Sequence, residues 1–288
     1  MKANLFVIGA SKCGTSFLHD VLNAHPQISM SIVKEPRFFT KPEKDRNIDE
    51  YRSLFMEKEG VKYFGESSPS YSEVLYFENV AQEICNYSSE SKIIYIVRSP
   101  YKRLLSVFNQ ALSTGHHLSD RYGRPMDQDF RKALVNYPPM LDATKYHTVL
   151  TEYLKYFDRE SIKAVFFERL VNNPIGQVRE IEDFLGVKYF NGYEFEKFNQ
   201  NPGSLKAAYT PLFSSFSKII PQRLKEQINP IMLLRLKRLF YIFSTGKVKL
   251  KESVSEIEKE VIHRELSDEI SSLYKCLNEK EDPMQFYS

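Results

Sequence analysis

With 288 residues, 42% of them hydrophobic and 27% charged, the chain is long enough for a large core and too apolar to be disordered throughout. Forty Lys and Arg against 37 Asp and Glu leave a net charge of +3, too balanced to imply nucleic acid as a partner. The three cysteines, Cys13, Cys85 and Cys276, are odd in number and far apart, so neither a disulfide framework nor a cysteine metal knuckle is expected. His116 and His117 are chain neighbours that rarely face one ion, so no metal site is expected. No apolar run approaches the ~20 residues of a membrane-spanning helix. A soluble, cytoplasmic protein is the expectation.

In chain order, residues 5–8 form a short apolar run ending at Gly9 and read as a buried strand, and residues 15–23 read as a helix that stops before His25-Pro26. Residues 92–97 form a second buried strand, and the helix after it begins at Pro100, a favoured first-turn residue. Residues 162–167 form a third, followed by Pro174 and an amphipathic run through Ile181, Phe184 and Leu185 to Gly186. These strands are rich in Ile and Val without polar alternation, which is the pattern of a sheet covered on both faces. The expected fold is α/β, with a P-loop-type parallel central sheet flanked by helices on both faces. Character shifts near residue 210. Residues 218–251 carry nine basic residues and one acid around an apolar cluster, and Val254, Ile257, Val261, Ile270, Leu273 and Leu277 then keep helical spacing. Residues 211–288 therefore read as a helical C-terminal portion packed on the same domain. The basic stretch 218–251 also suits peripheral contact with a membrane surface or an acidic substrate.

The most informative segment is Gly9-Ala10-Ser11-Lys12-Cys13-Gly14-Thr15-Ser16, between the first strand and the first helix. Glycines allow a tight turn, and helix-start amides with the helix dipole attract a phosphate or sulfate. A Walker A loop would place lysine where Thr15 stands, whereas the lysine here is Lys12. That argues against an ordinary ATP- or GTP-hydrolysing loop.

Gly-x-x-Lys-x-Gly-Thr-Ser resembles the 5′-phosphosulfate loop of sulfotransferases that use 3′-phosphoadenosine 5′-phosphosulfate (PAPS). Arg98-Ser99-Pro100-Tyr101-Lys102-Arg103-Leu104-Leu105-Ser106 is similar to that family's 3′-phosphate motif, again at a strand-to-helix junction. Lys34-Glu35-Pro36-Arg37-Phe38-Phe39 resembles a segment of its glycan-modifying, heparan-sulfate-type branch. Tyr51-Arg52-Ser53-Leu54-Phe55, Gly65-Glu66-Ser67-Ser68-Pro69-Ser70-Tyr71 and Phe184-Leu185-Gly186-Val187 follow in family order, so the resemblance covers roughly residues 4–200. It makes residues 1–210 a PAPS-binding core.

The resemblance implies roles residue by residue. Lys12 would stabilise charge on the bridging oxygen as the nucleotide departs. Ser11, Cys13, Gly14, Thr15 and Ser16 would hold the 5′-phosphate, and Arg98 and Ser106 the 3′-phosphate. Arg103 is expected to brace its helix rather than touch ligand. Glu35 would be the general base for an acceptor hydroxyl, with Glu66 the runner-up and His116 or His117 a weaker choice. Arg37 and Glu66 are candidate substrate-facing residues. Where relatives place a lysine after the equivalent of Glu66, this chain has Ser67; where they often carry Lys-Gly, Pro202 precedes Gly203 and Lys206 is the substitute cofactor-binding candidate. With no tryptophan, adenine stacking must come from Phe, Tyr or a guanidinium. The expected activity is sulfuryl transfer from PAPS to a hydroxyl, with a saccharide acceptor and no metal. The competing readings are a P-loop kinase of a nucleotide or small metabolite, and a non-catalytic nucleotide-binding module.

Overall fold

A computed structural model describes residues 1–118, 125–195 and 250–287. Five parallel strands form the sheet: β1 (Leu5–Gly9), β2 (Ile28–Met30), β3 (Tyr63–Ser67), β4 (Lys92–Val97) and β5 (Ile162–Phe166), in the order β2-β3-β1-β4-β5. All five residues of β1 are buried, as are five of the six of β4, so both faces are covered as the unalternating sequence requires. The chain leaves β1 toward the β2 edge, returns through β3, and then crosses to β4 and β5 on the other side. The crevice outside the carboxyl ends of β1 and β4 is therefore the topological switch point, where open α/β sheets bind ligands.

Helices follow the strands: α1 (Thr15–Ala24) after β1, α2 (Ile48–Arg52) between β2 and β3, α3 (Val80–Tyr87) after β3 and α4 (Pro100–Ser113) after β4. The short helices α5 (Phe130–Asn136) and α6 (Pro138–Asp142) lead into α7 (Tyr146–Leu154). After β5 come α8 (Phe167–Asn172) and α9 (Pro174–Leu185), the latter stopped by Gly186 in the left-handed conformation at φ 58°. The strands β2 and β3 and the helices α2, α3, α5, α6, α7 and α8 go beyond the elements read from the sequence.

The helix α10 (Glu256–Leu277) confirms a helical C-terminal portion, with Ile270 and Leu273 buried as read, and corrects the register of its first turns. Its buried stripe is Ile262, Leu266, Ile270 and Leu273, whereas Ile257 is exposed and Val261 only half-buried. A Ser255–Glu258 capping box opens it, and Asn278 closes it in the left-handed conformation. It packs on α7, α4, α5 and α6, and Glu269 accepts from the Thr148 amide at 3.0 Å. Beyond it the tail is tied back by Arg169 to Glu279 at 2.6 Å and by the Tyr101 hydroxyl to the Phe286 carbonyl at 3.3 Å. The boundary near 210, Lys206 and nearly all of the 218–251 stretch lie outside the described residues. Among the described residues no helix is long and apolar enough to cross a membrane.

Candidate functional site

The loop from β1 to α1 lies at the switch point. Gly14 is the N-cap of α1, at φ 87°, and among the described residues no side chain caps the helix. The amides of its first turn have no intrahelical acceptors and are left for an anion. A Cβ at Gly14 would sit 2.7 Å from the Phe167 ring, so glycine is required by space as well as by φ. Thr15 is buried, Ser16 is exposed, and Lys12 adopts φ 69° with a half-buried side chain. The loop's shape is held from below by two arginines. Arg98 donates through Nη1 to the Lys12 carbonyl at 2.9 Å. Arg103, only 2% exposed, donates through Nε to the Ser11 carbonyl at 3.0 Å and through Nη1 to Thr144 Oγ1 at 2.7 Å. Arg103 thus locks the loop to α4 and to the α6–α7 turn.

Arg98 directly follows β4, with its guanidinium stacked 4.6 Å from the Phe167 ring centroid. Its Nε is buried without a hydrogen-bond partner among the described residues. Glu168 at the start of α8 accepts from the Ser99 amide at 3.0 Å, fixing the turn between β4 and α4. Ser106 lies half-buried on α4. The Lys12 ammonium is pushed below the usual lysine range by burial and then by the charges of Arg98 and Lys34. Lys12 therefore lies in the field of Arg98, which holds its carbonyl, and of Lys34, and a bound anion would relieve both that repulsion and the orphaned Arg98 Nε. A polyanionic nucleotide fits these residues.

The segment after β2 is hung on the end of β3 and the turn that follows it by three bonds. The Glu35 amide donates to the Ser67 carbonyl at 3.1 Å, the Arg37 amide to Ser68 Oγ at 3.1 Å and the Phe39 amide to the Tyr71 hydroxyl at 3.3 Å. Glu35 and Arg37 both lie in the left-handed region, at φ 60° and 55°. Such strain concentrates at functional sites. Lys34, Glu35, Pro36, Arg37, Thr40, Lys41, Pro42 and Phe77 line an open groove of ≈ 560 Å³. The Glu35 carboxylate, 29% exposed, accepts from Lys34 at 3.4 Å and from the Arg37 guanidinium. Burial works against the charge, but the Arg37 hydrogen bond and the charges of Arg37 and Lys34 outweigh it and hold Glu35 below the usual carboxylate range.

Several expectations need correction. Glu66 does not face the groove. It is 0% exposed and accepts from the hydroxyls of Tyr51 at 2.6 Å, Ser68 at 2.7 Å and Tyr71 at 2.8 Å. Burial still raises its pKa despite those three bonds. Since Ser68 and Tyr71 in turn accept the Arg37 and Phe39 amides, Glu66 is the buried anchor of the Glu35 segment. The Cys13 side chain points inward, 3.9 Å from the Tyr146 hydroxyl, with its thiol pushed up to about 11 by burial, and its amide is taken by the Ala10 carbonyl. His117 is buried between the Ala111 carbonyl and the Gln128 amide, a structural role, and His116 pairs with Thr114.

Two residues escaped the sequence reading. Glu168 shapes the Arg98–Ser99 turn, and His19 bonds Ser67 Oγ at 3.0 Å beneath the site. Burial and Lys34 lower the His19 pKa to about 4, so the ring is neutral. Their only signal was position: Glu168 follows a buried strand, and His19 falls on the inner face of α1.

The sulfotransferase domain model matches residues 2–210. Heparan sulfate glucosamine 3-O-sulfotransferase 5 of Homo sapiens is 26% identical over 251 residues, which cover 83% of this chain and 69% of that protein. Heparan sulfate glucosamine 3-O-sulfotransferase 6 of Mus musculus is 30% identical over 189 residues, 63% of this chain and 52% of that protein, so the chain spans about half of that relative's length. A solved sulfotransferase structure from Alicyclobacillus acidocaldarius shares the fold, with a TM-score of 0.62 at 20% identity over 99% of each chain. With a loop, a cationic locus and a groove assembled on this sheet, and the family model spanning most of the chain, the protein belongs to the sulfotransferase domain family and is a transferase of the sulfotransferase class.

Proposed function

We propose that the chain transfers a sulfuryl group from PAPS to a hydroxyl of a saccharide. The observation that carries this reading is the Lys12 loop gripped through its carbonyl by Arg98, whose buried Nε has no hydrogen-bond partner among the described residues, at the carboxyl ends of β1 and β4. PAPS, when bound, supplies a sulfur electrophile on a phosphate leaving group. The first-turn amides of α1 with Thr15 and Ser16 would hold the 5′-phosphate. Arg98, through Nε, and Ser106 would hold the 3′-phosphate. Lys12 neutralises the negative charge that grows on the leaving oxygen, and because its loop is locked by Arg98 and Arg103 it needs no rearrangement to do so. Glu35 takes the proton of the attacking hydroxyl. As the acceptor O–S bond forms, the S–O bond to the 5′-phosphate breaks, and its electron pair leaves on the phosphate oxygen, giving adenosine 3′,5′-bisphosphate. Positioning and charge then account for most of the rate, as in phosphoryl transfer. The saccharide acceptor is supported by the groove beside Glu35 and by the relatives named above, which act on heparan sulfate glucosamine.

The test is incubation with ³⁵S-labelled PAPS and a panel of glucosamine-containing oligosaccharides. Label in the saccharide, absent with Lys12→Ala, supports the reading. Label released only as sulfate, or carried equally by Lys12→Ala, contradicts it.

A further inference from the structure

The Glu35–Arg37 pair poses a problem for the proposed chemistry. A base that must take a proton is held by a guanidinium and an ammonium, which lower its affinity for that proton. The two partners differ in how they are held. Lys34 is 31% exposed and sits at 3.4 Å from Oε1, whereas the Arg37 side chain, also lining the groove, is 47% exposed. The Arg37 backbone is clamped: its amide is bonded to Ser68 Oγ, and its carbonyl accepts from the Thr40 amide and hydroxyl, both at 3.2 Å. The guanidinium can therefore swing into the groove while the backbone stays in place. Among the described residues the groove presents Lys34, Arg37 and Lys41 against the single acid Glu35, so an anion entering it meets an excess of positive charge.

We propose that Arg37 is a latch on the base, released by an anionic group on the acceptor. This rests on the sulfuryl-transfer reading above. A carboxylate or sulfate ester of the acceptor takes the planar guanidinium in a bidentate grip, with Lys41 on the same wall as a second contact. Glu35 loses its tightest partner and becomes the stronger base for the neighbouring hydroxyl. An uncharged acceptor leaves the latch shut. Arg37 thereby sets a preference for anionic acceptors through the proton-transfer step as well as through binding.

Water is an uncharged acceptor that is always present, so slow cleavage of PAPS to sulfate reads the latch directly. In that reaction a water oxygen attacks sulfur, the S–O bond to the phosphate breaks with its electron pair leaving on the phosphate, and Glu35 receives the proton. The experiment compares single-turnover cleavage by the wild-type chain, Arg37→Gln, and Arg37→Gln combined with Glu35→Gln, with and without glucuronate. Adenosine 3′,5′-bisphosphate titrations run on each. The latch predicts that Arg37→Gln cleaves several-fold faster than wild type, that the double variant loses the gain, and that glucuronate accelerates wild type but not Arg37→Gln. Equal cleavage by wild type and Arg37→Gln with nucleotide binding intact, or a gain that survives in the double variant, overturns the latch. Failure of wild type to bind the bisphosphate instead overturns the donor reading beneath it.

Discussion

Glu66 offers the sharpest test of how this fold builds its groove. Replacing it with alanine removes the acceptor for the Tyr51 and Tyr71 hydroxyls, both on buried residues, and for Ser68. Three buried donors left without that acceptor cost about 1–3 kcal/mol each, and the emptied volume adds to that. Relief of a buried charge, signalled by the raised Glu66 pKa, offsets part of the loss. A net destabilisation of about 3 kcal/mol lowers the melting temperature by roughly 6–12 °C for a chain of this size. Glu66→Gln keeps the shape and both tyrosine bonds at Oε1 while removing the charge, so it is expected within about 1.5 kcal/mol of wild type. The pH dependence has a definite sign. Because burial raises the folded-state pKa, the native state binds more protons than the unfolded chain between the unfolded value near ~4.3 and the folded value, and stability falls as pH rises through that window. Glu66→Gln should abolish that slope. Calorimetric melts at pH 4 to 8 check all three points. Well below its melting temperature Glu66→Ala should also lose about tenfold to a hundredfold in turnover through loss of positioning, with bisphosphate affinity retained, since the nucleotide loop hangs on Arg98 and Arg103 instead. A Glu66→Ala protein as stable as wild type would refute the network.

Lys12→Ala should cut turnover by about 10²-fold or more, on the scale of losing one preorganised charge donor, while leaving the melt unchanged. In Lys12→Arg the alkaline limb of the activity profile should disappear, because the lowered Lys12 pKa makes wild type lose that charge earlier as pH rises; an unchanged limb assigns it elsewhere. Arg98→Ala should weaken adenosine 3′,5′-bisphosphate far more than 5′-AMP, and equal losses would remove Arg98 from the 3′-phosphate. Glu35→Gln should bind the bisphosphate normally yet transfer no sulfate; full activity would move the base to another group.

What the sequence showed depended on how locally each feature was written. β1, β4 and β5 stand out as short runs rich in branched apolar residues, broken in β5 only by Lys163, and α4 begins at Pro100 as read. β2 escaped because three residues carry no period. β3 escaped because its second half is Gly65-Glu66-Ser67, which reads as a loop. Gly65 is there because a Cβ would meet Met30 Sδ at 2.5 Å, and the two polar residues are buried only because partners elsewhere satisfy them. The same non-locality hid the role of Glu66, whose three donors come from Tyr51, Ser68 and Tyr71 and meet only in the folded chain. The loop around Lys12 and the arginine just after β4 were legible because each belongs to a short motif at a strand exit. That Arg98 and Arg103 both grip the loop's carbonyls was not, since it depends on the β1–β4 neighbour relation.

The most direct test of the donor site is calorimetric titration of the intact chain with adenosine 3′,5′-bisphosphate, ADP and ATP, each with and without Mg²⁺. The site described here predicts tight binding of the bisphosphate, independent of metal and dependent on the 3′-phosphate, with ADP and ATP much weaker. A preference for ATP in the presence of Mg²⁺ would contradict the sulfuryl-transfer account and point to phosphoryl transfer on the same loop.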